Sequence, residues 1–156
     1  MSTSTWRREP SEESDRALLA SISAGDRRAI EKLHVLYFSR LAKFFLELNV
    51  RADFIEELII DTMVAVWKER ASIGANISVP AAIMRLAYSH GQRYFAKAQT
   101  QRASHFTVPF GESVLPYLVY GCGHSRQEIA EIMRVSTECV DLLLGDARRR
   151  HLRFSQ

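Results

Sequence analysis

Apolar residues along this chain recur at steps of three and four through nearly every long segment, and no stretch alternates apolar with polar. That period predicts helices, and the missing period of two predicts no sheet. A short helix is expected from Asp15 to Ala24, ended by Gly25, since glycine readily takes the left-handed conformation that closes a helix. From Asp26 to Leu48 the positions Ile30, Leu33, Tyr37, Leu41, Phe44 and Leu48 trace one face of a long amphipathic helix. A third helix, Ala52 to Arg70, has the cleanest period, carried by Ile55, Leu58, Ile59, Thr62, Met63 and Val66. Ser78 and Pro80 signal a fourth start, because proline suits a first helical turn. That helix, Pro80 to Ala98, turns Ile83, Leu86, Ala87, His90 and Tyr94 inward. The aromatic residues Tyr37, Phe38, Phe44, Phe45 and Trp67 are expected in the core.

Beyond Ala98 the pattern lapses. The segment AQTQRASHFTVPFG is polar, holds a proline and keeps no period, so it is expected to link two parts. Glu112 to Tyr120 is expected as a short helix with Pro116 near its start or bending it. Ser125 with Glu128 three residues on forms a capping box, and Ile129, Ile132 and Met133 supply an apolar stripe. Ala130 is small where two helices would cross closely. Ser136 then caps a second helix whose inward face is Val140, Leu143, Leu144 and Ala147. Two short helices joined by a tight turn form a helix-turn-helix, a device for placing one helix in a DNA groove. The expected fold is therefore all-α: a tail over 1–14, an N-terminal helical bundle over 15–98, a linker over 99–111, and a C-terminal helix-turn-helix domain over 112–156.

Composition narrows the function. Hydrophobic residues at 47% and charged residues at 25% suit a soluble globular protein. The excess of 21 Lys and Arg over 18 Asp and Glu is compatible with a polyanionic partner without demonstrating one. Cys122 and Cys139 show no CxxC spacing, so two reduced thiols are expected. No apolar run approaches the roughly 18 residues of a membrane span, and the polar start MSTSTWRREPSEESD lacks a signal-peptide core. A cytoplasmic protein with no membrane insertion is expected. The five histidines are scattered, with no HExxH, no glycine-rich phosphate loop and no nucleophile elbow. Nothing in the sequence calls for catalysis, a metal or a cofactor.

Three pieces, in order, carry a resemblance. The opening ALLASISAGDRRAIEKLHVLYFSRLAKF, the acidic IEELIIDTMVAVWKER, and the final EIAEIMRVSTECV with its basic ending ARRRHLR stand on either side of the linker. Together they resemble the extracytoplasmic-function (group 4) sigma factors of the sigma-70 family, from about Asp15 to Arg153. The resemblance implies a region 2-like bundle and a region 4-like helix-turn-helix that bind core RNA polymerase and direct it to promoter DNA. It implies that Glu56, Glu57, Leu58, Asp61 and Trp67 grip the polymerase. It places Arg85, Ser89, Arg93, Tyr94 and Lys97 on the helix that opens and reads the −10 element. For the −35 element it implies Arg126, Ser136, Thr137, Glu138, Arg148, Arg149 and Arg150. An anti-sigma factor is the further partner it implies.

The chain departs from that pattern at two helices. In the fourth, Ala82-Ile83, Leu86-Ala87-Tyr88-Ser89 and Arg93 stand where the family shows an aromatic-Leu pair, Ile-Ala-x-Asn and an Asp. In the last, Asp141, Leu142, Gly145 and Asp146 replace a basic and polar run, and a carboxylate near phosphates repels them. These departures keep a second reading open, a sigma-like adaptor or mimic that binds an anti-sigma factor or polymerase without reading promoters. A conventional helix-turn-helix regulator that binds an operator as a dimer is the third. The exposed position expected for Ile60, amid acids, fits a protein interface.

Overall fold

The computed structural model describes residues 12–73, 75, 77–101 and 114–154, and every regular element among them is helical. The all-α class expected from the pattern is what the chain adopts. In order the elements are α1 (Glu12–Ser23), α2 (Arg27–Glu47), α3 (Ala52–Lys68), α4 (Val79–Gln101), a one-turn π-helix (Tyr117–Gly121), α5 (Arg126–Met133) and α6 (Thr137–Phe154).

Local chemistry sets most of these ends. At Gly25, φ is +94°, and Asp26 N–H bonds to the Ser21 carbonyl at 3.0 Å while Gly25 N–H bonds to Ile22 at 2.9 Å. This is the paired closure of a left-handed helix end. Asp26 then caps α2 by accepting from Arg28 N–H at 3.0 Å. The same left-handed closure ends α2 at Asn49, φ 66°, with Val50 N–H on Phe45 and Asn49 N–H on Leu46. Asparagine tolerates that conformation better than most residues, and the sequence reading had not singled it out. Ser78 caps α4, its hydroxyl accepting from Ala81 N–H at 3.3 Å.

The core is built from α2, α3 and α4 with α1 laid against them. Tyr37, Leu33, Leu41, Phe44, Phe45, Ile59, Ile83 and Met84 are wholly buried. Within it Asp15 is also wholly buried, and its carboxylate accepts from the Tyr37 hydroxyl at 2.7 Å. That bond offsets the cost of removing both polar groups from water.

Helix α4 has little exposed surface in its first half: Val79, Ala81 to Met84 and Leu86 to Tyr88 are all buried. One inward face was expected, and two are found. The bundle covers one side, and α5 packs on α4 as well, where Ala81, Ala82 and Ala87 are small enough to permit close approach. Leu115, Leu118, Ile129, Ala130, Ile132, Met133 and Val140 therefore join the same buried cluster as the N-terminal helices. Tyr117 adds a polar tie, its hydroxyl donating to the Arg40 carbonyl at 3.1 Å.

Several expectations are corrected. Phe38, placed in the core, is 40% exposed, and Trp67 is half-buried. His90 and Tyr94 are likewise half-buried. Helix α1 begins at Glu12, inside the segment read as tail, and α4 runs to Gln101, into the segment read as linker. The rest of that tail, the linker from 102 on, and residues 111–113 lie outside the described residues. The short helix expected to Tyr120 is a turn over 114–116 that widens into the π-helix. A Cβ on Gly121 would sit 2.6 Å from the Tyr117 ring, so this wide turn closes only on glycine.

Candidate nucleic-acid and partner interfaces

On the outer side of α3, Asp53, Glu56, Glu57, Ile60, Asp61 and Val64 are exposed. Ile60 and Val64, one turn apart, are 49% and 45% exposed, an apolar pair set among carboxylates. Leu58 is not on this surface. It is buried on the inward face, and its carbonyl accepts from the Thr62 hydroxyl one turn along the same helix at 2.7 Å. Trp67 lies beneath Arg70, whose guanidinium is 4.5 Å from the ring centroid and donates to the Trp67 carbonyl at 2.9 Å. Sequence reasoning missed Val64 and Arg70, and the step of four from Ile60 to Val64 was the available signal.

Asp61 leans to the α4 edge. Burial and the Arg93 guanidinium hold His90 below its ordinary histidine value, against the opposing charges of Asp61 and Glu69. The acidic surface is therefore split: Glu57 flanks Ile60 and Val64, and Asp61 serves α4.

The five DNA-type residues of α4 divide into two groups. Arg85 is half-buried and paired with Glu131 of α5 at 3.8 Å, and the Ser89 hydroxyl donates back to the Arg85 carbonyl at 3.1 Å. These two sit where the helix-turn-helix packs. Farther along, Arg93 and Lys97 are exposed. Tyr94 rests between Phe54 and Phe95, at centroid distances of 5.4 and 5.2 Å. Tyr88 is buried, and burial together with neighbouring Cys139 pushes its hydroxyl up to about 12.

The helix-turn-helix forms as its capping residues require. Ser125 Oγ accepts from Glu128 N–H, and Glu128 Oε1 accepts from Ser125 N–H, both at 3.1 Å. The other Glu128 oxygen accepts from Ser78 at 2.5 Å and stands 3.7 Å from His124 Nδ1. Burial opposes ionisation of Glu128, but the bonds from Ser78 and Ser125 and the charge of His124 outweigh it and hold the carboxyl below its usual range. Arg134 takes φ 56°, ψ 47°, the left-handed region, at the turn. Ser136 caps α6 through Cys139 N–H at 3.1 Å.

Several groups expected to meet DNA are occupied within the fold. Arg126 pairs with Asp141 at 3.3 Å, and Arg149 pairs with Asp146. Thr137 is half-buried and lines, with Ile77, Glu128, Glu131 and Val135, a cleft of about 460 Å³. Glu138 and Asp141 are exposed, and Leu142 beside them is 69% exposed. Arg148 and Arg150 lie on α6, with side chains outside the described part. Among the described residues no cluster of three or more His, Cys, Asp or Glu is placed to hold a metal ion, and no helix is long and apolar enough to cross a membrane.

No family model matches this chain, and no curated protein sequence matches it. Among solved structures it is similar to CnrH in complex with the cytosolic domain of CnrY. The TM-score is 0.69 at 22% identity, over 86% of this chain and 92% of that one.

Proposed function

We propose that this chain, whose fold is that of an extracytoplasmic-function sigma factor, is a transcription initiation factor that binds core RNA polymerase. The observation that carries the reading is the exposed Ile60–Val64 pair bordered by Asp53, Glu56 and Glu57. An apolar stripe rimmed by carboxylates suits a basic, helical partner surface. Arg93, Tyr94 and Lys97, at the open end of α4, are the groups that would engage a melted −10 strand by charge and stacking. The α6 helix would meet duplex DNA through its basic C-terminal arginines.

CnrH is bound to the cytosolic domain of CnrY in the solved complex, and an anti-sigma partner is the corresponding proposal here. Promoter reading is the weaker half of the assignment. Glu138 and Asp141 face outward from α6, and Arg126 and Arg149 are engaged by Asp141 and Asp146. That charge arrangement favours, as a second reading, a sigma-like adaptor that binds protein partners alone.

The test is retention of core polymerase on the immobilised chain, compared with a Glu57→Lys/Ile60→Glu variant. The proposal expects retention that the double variant loses while its circular dichroism stays unchanged. Equal retention by both would overturn the assigned face. Retention without promoter-dependent transcription would leave the adaptor reading.

A further inference from the structure

Where the first turn of α3 meets the far end of α4, an aromatic ring stands in solvent beneath a cation. Phe54 is 38% exposed. Its ring leans on Tyr94, 5.4 Å between centroids, and Tyr94 in turn meets Phe95 edge-on at 5.2 Å. Tyr94 thus has a ring on either side, and the open aromatic surface at this edge belongs to Phe54. Over Phe54 stands Arg51, its guanidinium carbon 6.0 Å from the ring centroid. Arg51 occupies the N-cap position of α3 and makes no side-chain cap bond there, although Ser, Thr, Asp or Asn would stabilise that end by about 1 kcal/mol. Its guanidinium reaches over the ring instead. It meets Asp53 at 3.0 Å, with the two side chains 62% and 68% exposed.

Spacing sets this pair apart from the cation and ring at the other end of α3. Arg70 lies 4.5 Å from the Trp67 centroid and also donates to the Trp67 carbonyl, so that pair is closed. Stacked bases repeat at about 3.4 Å, so a flat ring held on both faces needs about 6.8 Å between its neighbours. From 6.0 Å, the exposed guanidinium reaches that spacing by moving about 0.8 Å. We propose that Arg51 and Phe54 form a jaw that takes one unpaired base of single-stranded nucleic acid, stacked on Phe54 and covered by Arg51. Charge sets how the strand lies. Arg93 and Lys97, one turn apart on α4 and exposed beside Tyr94, are cations for the phosphates that flank the base. Glu57, one turn on from Phe54 towards Ile60, is exposed and repels phosphate from that side, so the backbone runs along α4. Every base has a π-face, so the jaw is indifferent to sequence. The inference rests on the transcription-factor reading for the source of the strand, a melted duplex.

Fluorescence anisotropy of the full chain with a short labelled oligothymidine reads the jaw. Beside it stands the same oligomer made abasic, which keeps every phosphate and has no base. The intact strand is expected to bind about ten times more tightly than the abasic one, the worth of one stacked base. Phe54→Leu, which keeps bulk against Tyr94, should lose that advantage and leave abasic binding unchanged, and Phe54→Trp should keep it. Arg51→Ala should weaken the intact strand about threefold. Arg93→Glu with Lys97→Glu should weaken both strands alike, with circular dichroism unchanged in every variant. Equal affinity of the wild type for intact and abasic strands overturns the proposal. So does a Phe54→Leu chain, or the double α4 variant, that binds the intact strand like wild type, or a preference for duplex over single strand. A Phe54→Leu chain that loses polymerase retention while its strand affinity holds gives the patch to a protein and overturns it too. Polymerase retention without single-strand binding sinks the jaw alone, and single-strand binding without polymerase retention supports the jaw and sinks the polymerase assignment.

Discussion

The hydroxyl of Ser78, which starts α4, donates to the carboxylate of Glu128, which starts α5. One carboxylate thus completes a capping box in the helix-turn-helix and ties that motif to the N-terminal bundle. Its neighbour His124 is almost fully buried. The folded state favours ionised Glu128, so its contribution to stability is present above the unfolded carboxyl value and fades as pH falls through the lower folded one. Chemical denaturation between pH 3 and pH 7 should show wild type losing stability in acid more steeply than Glu128→Gln. Parallel curves would contradict the linkage.

His90 offers a second titration. Its value is lowered chiefly by burial and then by Arg93, so the unfolded chain binds more protons just below the ordinary histidine value. Stability therefore rises with pH up to about 6.5, the unfolded value. The His90 ring-proton resonance should titrate with a midpoint below that value. Asp61→Asn should lower the midpoint further, and Arg93→Gln should raise it. A midpoint unmoved by either change would separate α3 from α4 at this edge.

Two glycines should respond in opposite directions to alanine. Gly145 lies inside α6, and an added Cβ would meet only the Arg149 guanidinium at 4.0 Å, which is ordinary contact. Gly145→Ala should raise stability by about 1 kcal/mol through helix propensity. Gly121→Ala drives a methyl into the Tyr117 ring, whose hydroxyl is held by the Arg40 carbonyl. It should destabilise by about 1–3 kcal/mol, the range for forced overpacking. Thermal melts of the two variants decide this, and a stabilised Gly121→Ala would refute the tight turn.

Tyr37→Phe removes one donor to a fully buried carboxylate. A loss of about 1–3 kcal/mol is expected, the penalty of leaving a buried polar group short of a partner. Urea denaturation with an unchanged slope would place the effect in the folded state.

How much of this was legible in the sequence depended on how local each cause is. Gly25, Asp26, Ser125 with Glu128, and Ser136 act within a single turn, and each helix end they forecast is found. Ile60 stood off the apolar stripe and is exposed. Failures came where the cause lies in another element. The second buried side of α4 exists only because α5 packs there, so no period within α4 announces it. Phe38 neighbours Tyr37 in sequence but lies a hundred degrees around the helix, and its bulk suggested a core that its register denies. Leu58 belongs to the inward stripe, and the resemblance alone had turned it toward a partner. Arg85 and Arg126 were read as free cations because their acidic neighbours, Glu131 and Asp141, lie on other helices or another turn of the fold.

The two-sided burial of α4 bears on what happens if the chain is cut. A protease acting anywhere in 102–113 would release two fragments that still share one cluster of side chains. Neither fragment inherits a finished surface. The larger would carry Ala82 and its neighbours into water, and the smaller would lose the wall against which Ile129 and Met133 rest. A nicked molecule should therefore hold together on a sizing column and separate only in denaturant, with both pieces leaving at the same midpoint.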